Sequence, residues 1–451
     1  MVVQLKVLAA TLLFVAFLHI SLSEDVEGFR ERRAPKIHPH TFLPTPGLIR
    51  ARGYPAEVHH VATEDGYILE LHRIPFSPHR SLGGNPNPIS LSQNNVKRSL
   101  QLQLPNATAG LQDRSSLIGN NLEQKEPKVV FIQHCVLCSS ADFVMNDPNQ
   151  ALAFILSDAG YDVWLGNIRG NIYSRRHRTI TAKNPKFWEF SWDTCARYDI
   201  PAMLQYVRTN TGANQVSYIG HSMGTTMFFA MMNIHPHINS WVRVMAAMAP
   251  VAYMHNKHAP IGILSPVING IDRTLTQRGK LEFLTPTKSS STLFSGLCSE
   301  VLLIRSICKF FLDALAGPSA RNVDPNYLPV IVAHTPAGTS FRTVTHLLQL
   351  VRDRRFQAFD YGPTDNFKVY GTARPPRLDL AAVTVPVGAF WSDNDWVADP
   401  RDVQLTVREL GNVVVNHRVQ HNSFNHLDFL WAENAAALVY RHILDLLGRY
   451  N

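Results

Sequence analysis

The pentapeptide Gly220-His221-Ser222-Met223-Gly224 constrains this chain more than any other stretch. It follows the short apolar run 216–219 and precedes a segment of helical character that begins near Thr225. A tight strand-to-helix turn projects a serine hydroxyl from the edge of a sheet, and small flanking residues let the two backbones pass closely. Read in that context, the motif demands a buried strand, a sharp turn and a covering helix. It therefore sets the fold as much as the chemistry.

The rest of the chain supplies matching parts. Short apolar runs at 129–132, 161–165, 216–219, 242–248, 387–391 and 413–419 suit strands covered on both faces. Helical segments fall between or after them at 149–159, 193–209, 225–232 and 434–447. Such alternation predicts an α/β fold with a mostly parallel central sheet and crossover helices. Ahead of it, 56–63 and 67–74 alternate in polarity around Glu64-Asp65-Gly66, which predicts an opening antiparallel hairpin. With 45% hydrophobic and 17% charged residues over 451 positions, the chain can fill a large core. Disorder is then confined to segments, and 77–127, rich in Ser, Asn, Gln, Gly and Pro, is expected to be one. The interval 254–384 interrupts the alternation and is long enough to form a cap over the strand ends, dividing the core into 34–253 and 385–451.

Lys6, the apolar run 7–20 and Ser21-Leu22-Ser23 predict a signal peptide over 1–23, with the mature chain starting at Glu24. The run is shorter than the roughly 20 residues of a membrane span, and no later stretch reaches that length, so no transmembrane segment is expected after cleavage. Arg30-Glu31-Arg32-Arg33 resembles a processing site that would release a propeptide over 24–33. Secretion would expose the five cysteines to oxidising conditions, and Cys298 with Cys308, close in sequence, is the candidate disulfide. Cys135 and Cys138 form a C-x-x-C that lacks a thioredoxin-like context. Asn106-Ala107-Thr108 is the glycosylation sequon. The net charge of +8 is dispersed rather than gathered into a tail, so no nucleic-acid partner is expected.

A serine hydroxyl needs a base to take its proton and a carboxylate to orient that base, in the chain order Ser, Asp, His. His426, between the last strand and the C-terminal helix, is the candidate base. Asp395 follows the run ending at Trp391, but spacing alone does not separate it from Asp393, Asp399 and Asp428. Two backbone amides must hold the oxyanion: Met223, after the nucleophile, and Leu137, in the loop after an early strand. His134 and His221 read as loop and packing residues, neither needed as a base.

These motifs resemble those of the acid lipases, the family of gastric lipase, lysosomal acid lipase and many arthropod digestive lipases. The resemblance runs from about Gly53 to Leu447, apart from the 77–127 insertion. It is carried by Gly53-Tyr54-Pro55, Thr63 to Leu69, Asp158 to Asn167, Tyr198-Asp199-Ile200-Pro201-Ala202, Gly220-His221-Ser222, Pro336-Ala337-Gly338-Thr339-Ser340, Ala398-Asp399-Pro400 and Asn425-His426-Leu427-Asp428-Phe429. It implies an α/β hydrolase fold with a lid-bearing cap, ester bonds of neutral lipids as substrate, Ser222 as nucleophile, Asp395 as its carboxylate partner and His426 as base. Cys298 and Cys308 match a family disulfide pair. Three positions depart from the pattern: Cys135 where the family usually has Gly, Met223 where it usually has Gln, and Asp393 where it usually has glycine. The first bears on oxyanion geometry, since glycine allows backbone angles that a cysteine resists.

The function expected is a secreted, or alternatively lysosomal, lipase that meets triacylglycerols or cholesteryl esters at a lipid–water interface. The chemistry requires no metal or organic cofactor. The alternatives are a non-catalytic lipid-binding or storage protein on the same fold, and a carboxylesterase for short acyl chains.

Overall fold

The computed structural model describes residues 38–79, 127–256, 265–287, 290–292, 316–318 and 322–450. The signal peptide, the propeptide, residues 80–126 with Asn106, and both Cys298 and Cys308 lie outside the described residues.

A nine-stranded sheet organises the chain, built from β1 (Glu57–Ala62), β2 (Tyr67–Ile74), β3 (Val129–Gln133), β4 (Asp162–Gly166), β5 (Arg176–His177), β6 (Val216–His221) and β7 (Val242–Met248). After a two-stranded ribbon of β8 (Glu282–Phe283) and β9 (Thr339–Ser340), it is completed by β10 (Val387–Trp391) and β11 (Val413–Arg418). The spatial order is β1-β2-β4-β3-β6-β7-β10-β11, with β5 pairing to β2. β1 and β2 form the antiparallel hairpin, in register from Glu57 opposite Arg73 to Ala62 opposite Ile68. From β4 to β11 every pairing is parallel.

The continuous apolar character of the central strands follows from burial of both faces. In β3, Val130 and Ile132 enter one core while Val129 and Phe131 enter the other, and in β4 Val163 and Leu165 separate from Trp164 in the same way. The helices Leu152–Asp158 and Arg441–Arg449 cover the first face, and Ile200–Thr211 and Met223–Ile234 the second. Parallel strands joined by such crossovers all end at one edge, where sites of open α/β sheets assemble.

The interval between β7 and β10 holds the helices Ile268–Gln277, Leu328–His334, Phe341–Asp353 and Pro363–Tyr370, together with the β8–β9 ribbon. It joins the sheet domain through buried contacts: the Trp192 and His346 rings stack 3.9 Å apart, and the Phe359 amide donates to Asp193 at 2.9 Å.

One buried ionic cluster ties the hairpin to the parallel sheet. Arg169, in the loop after β4, donates through Nε to Asp199 at 2.8 Å and through both terminal nitrogens to Asp65, in the β1–β2 turn, at 2.6 and 2.9 Å. Its guanidinium lies 3.8 Å from the centre of the Tyr67 ring. Because Arg169 is 1% and Asp199 0% exposed, removing the cation strands a carboxylate away from water. An Arg169→Met variant is expected to lose about 3–5 kcal/mol in urea unfolding. Asp65→Asn costs less, its carboxylate being about a quarter exposed; equal losses would remove burial as the cause.

A second buried acid closes the loop after β3. Ser139 and Asp142 cap the short helix Ser140–Phe143 reciprocally, the Ser139 amide donating to Asp142 at 2.7 Å, and the Thr335 hydroxyl donates to the other carboxylate oxygen at 2.8 Å. Burial pushes the Asp142 carboxyl up to about 6. The folded chain therefore holds a proton between about pH 4 and 6 that the unfolded chain has released, so this group's contribution to stability falls as pH rises through that window. The drop amounts to about 2–3 kcal/mol. An Asp142→Asn variant lacks it, and its Tm should move upward relative to the parent between pH 4 and 6.5; parallel curves would show that the carboxyl is not held protonated.

Candidate active site

Ser222 occupies the turn between β6 and the helix Met223–Ile234 at φ 55° and ψ −120°. The two glycines of the motif are there for space. A Cβ on Gly220 would lie 2.9 Å from the Gly224 carbonyl carbon, and one on Gly224 would lie 2.5 Å from the Gln133 carbonyl oxygen at the end of β3. Hydrogen bonds fix the turn from both sides: the Ser222 amide donates to Met248 O at 3.0 Å, and the Ser222 carbonyl accepts from the Thr225 amide at 2.8 Å and hydroxyl at 2.6 Å.

His426 brings its Nε2 to 2.7 Å from Ser222 Oγ and its Nδ1 to 2.7 Å from Asp395 Oδ2. Since the carboxylate only accepts, Nδ1 carries the proton and Nε2 is left to accept from the serine hydroxyl. The other Asp395 oxygen accepts from the Val397 and Ala398 amides at 2.8 and 2.7 Å, which locks the carboxylate in place. All three side chains are buried, at 3%, 1% and 5% exposure for Ser222, Asp395 and His426. The structure thus brings together three predicted residues separated by 204 and 31 positions.

The remaining aspartates of the ambiguous set have other partners. Asp393 pairs with Arg418 at the surface, Asp399 accepts from the Arg401 amide at the start of Pro400–Glu409, and Asp428 accepts from the Asn425 amide at 2.7 Å and the Asn322 side chain at 2.8 Å. Of these four aspartates, Asp395 is the one that bonds the His426 ring.

β3 and β6 are parallel neighbours, with Gln133 opposite Gly220, so the loop after β3 and the serine turn leave the same sheet edge side by side. Among the described residues, neither the Leu137 amide nor the Met223 amide donates to another backbone or side-chain acceptor. Leu137 has φ 61°, whereas Cys135 is not among the described residues with positive φ. The conflict expected from cysteine in place of glycine therefore does not arise: the left-handed position falls two residues later. Cys135 and Cys138 are disulfide-bonded, a pairing the sequence reading did not propose.

Two histidines acquire work that the sequence did not reveal. His221 is fully buried, and its Nε2–H donates to the His426 carbonyl at 3.0 Å. His134 donates from Nδ1 to Cys135 O at 2.8 Å and accepts at Nε2 from Asn171 at 3.2 Å and the Ile168 amide at 3.3 Å. Burial pushes its ring down to about 4, consistent with a neutral role in shaping the loop. Asn425, whose side chain donates to Gly317 O at 2.6 Å, belongs to the same support and carried no signal beyond its place in the Asn425-His426 motif.

The profile of a partial alpha/beta-hydrolase lipase region matches residues 45–147, and that of the alpha/beta hydrolase fold matches 128–289. Lipase lipl-1 of Caenorhabditis elegans is 35% identical, over 91% of this chain and 92% of its own. Gastric triacylglycerol lipase of Bos taurus is 34% identical over 91% and 92%, and the human lysosomal acid lipase/cholesteryl ester hydrolase 32% over 92% and 93%. A crystal structure from Sulfolobus solfataricus shares the fold, with TM-score 0.51 at 13% identity over 94% of this chain and 100% of that one. The chain belongs to the acid lipase family of α/β hydrolases and is an ester-hydrolysing enzyme.

Proposed function

We propose that this enzyme is a secreted or lysosomal lipase that hydrolyses the carboxylic esters of neutral lipids, triacylglycerols and cholesteryl esters among them, through Ser222, His426 and Asp395. The observation that carries this reading is the buried relay of two 2.7 Å hydrogen bonds through the His426 ring. His426 takes the hydroxyl proton as Ser222 attacks the acyl carbonyl, and Asp395 stabilises the imidazolium so formed. The Met223 and Leu137 amides hold the negative oxygen of the tetrahedral intermediate. His426 then protonates the leaving alcohol, and water repeats the sequence on the acyl-enzyme.

The 254–384 interval serves as the cap in this scheme, covering the strand ends between the two parts of the core, and the lipid ester reaches the site from a lipid–water interface. The names of the gastric and lysosomal relatives support both the neutral-lipid substrate and an exported location. Asn106 as a glycosylated residue and a Cys298–Cys308 disulfide fit the same export route.

An organophosphonate is expected to label Ser222 stoichiometrically, and Ser222→Ala to abolish ester hydrolysis; a normal rate in that variant ends the proposal. Asp395→Asn should lower kcat by roughly 10⁴-fold through the wrong imidazole tautomer, with little change in stability. Hydrolysis of emulsified triacylglycerol faster than of dissolved short esters separates a lipase from a short-chain carboxylesterase.

A further inference from the structure

Among the described residues, two hydrogen bonds join the serine turn, residues 220–224, to the loop that carries the base. One is the Ser222–His426 link of the relay. The other starts from the residue before the nucleophile: His221 Nε2–H donates at 3.0 Å to the carbonyl oxygen of His426 itself. The chemistry above uses the first and gives the second no part.

The reaction treats these two links differently. Before attack, the Ser222 hydroxyl donates to His426 Nε2. Once the acyl group sits on Oγ and His426 has passed the proton to the leaving alcohol, Oγ is an ester oxygen without a proton, and Nε2 has nothing to accept from it. The base must still stand where it can take a proton from water. At that stage the bond from His221 is the one that still ties the serine turn to the base. It joins a ring nitrogen to a backbone carbonyl, neither of which exchanges a proton with the substrate, so it persists through both half-reactions.

His221 is itself firmly placed. It ends β6, paired with Met248 of β7, and its side chain is wholly buried. Its ring centre lies 4.9 Å from that of His426 and 6.2 Å from that of Phe429. Burial, and after it the neighbouring His426 ring, push its imidazole well below the ordinary histidine range. The ring therefore carries one proton, which the carbonyl acceptor draws to Nε2. Among the described residues, the His426 carbonyl receives no other hydrogen bond. Filling space would require no donor, whereas holding the backbone of the base requires this one.

We infer that His221 is a positioning residue for His426, a tether from the serine turn that keeps the base in place through acylation and deacylation alike. The inference rests on the ester-hydrolase role given to the relay.

The test compares two substitutions in the full enzyme on a dissolved p-nitrophenyl ester, with pre-steady-state kinetics separating acylation from deacylation. His221→Leu keeps the bulk and removes the donor, while His221→Gln keeps a terminal N–H at similar reach. Rates are taken per active site, counted from completed organophosphonate labelling, and the Tm of each variant is recorded. Misplacing a catalytic group costs steeply, so His221→Leu is expected to lower both rate constants about tenfold or more, with substrate binding changed less than about twofold. His221→Gln should recover both to within about threefold of the parent, because the donor is restored. A residue that only packs would give the reverse order, with leucine tolerated and the more polar glutamine damaging. Should His221→Leu fail to fold, His221→Asn, whose amide stops short of the carbonyl, takes its place. Parental rates in the donorless variant, a glutamine variant no faster than it, or a loss confined to acylation overturns the inference. Absence of Ser222 labelling in the parent would instead remove the hydrolase reading beneath it.

Discussion

Ser222 is held in a backbone conformation that an L residue avoids, φ 55° with ψ −120°, and the site exists because the surrounding packing overrides that preference. Such a residue costs of order 1–3 kcal/mol unless its neighbours determine it completely. Here they do. Its amide and carbonyl are both taken up by hydrogen bonds, and Gly224 sits so close to the end of β3 that a single added carbon would meet the Gln133 carbonyl at 2.5 Å. That contact also sets the distance between the helix start, which carries the Met223 amide, and the loop that carries Leu137. One steric constraint thus serves two purposes, shaping the serine turn and spacing the two amides proposed as oxyanion donors.

The fold was legible wherever burial imposed a simple pattern. Central strands covered on both faces have to be apolar throughout, so the runs at 242–248 and 387–391 coincide with β7 and β10 residue for residue. The Asp-Gly turn placed the hairpin for an equally local reason, Gly66 adopting φ 100°. Where the pattern carried less information, the sequence was silent. The helix expected over 193–209 is broken by a π segment at Cys195–Asp199, because hydrophobic periodicity does not register one extra residue in a turn. β5, β8 and β9, two residues each, are too short to show any period.

The site divides along the same line. Ser222 announces itself because its motif is contiguous and its strand and helix adjoin it. Asp395 could not be separated by spacing from Asp393, Asp399 and Asp428, since an acidic loop residue has many ordinary uses, and the structure shows three of those uses in three residues: a surface ion pair, a helix cap and a loop clasp. His221 is the opposite case. Inside the motif it reads as filler, and only the folded chain brings its Nε2 to the His426 carbonyl 205 residues away.

That last contact is one of two that hold the backbone of the base. The His426 backbone is held on both sides, its carbonyl by His221 from the serine turn and its amide by Ala316 O, at 3.3 Å, from the interval between β7 and β10. Ala316 O also accepts from Trp396 beside the acid, and Gly317 fits there only because it lacks a Cβ, which would lie 2.3 Å from Asn394 O. Residues 316–318 therefore belong mechanically to the base and acid loops although they come from the inserted interval. Moving them would strip a hydrogen bond from the backbone of the base itself, next to the two 2.7 Å links of the relay.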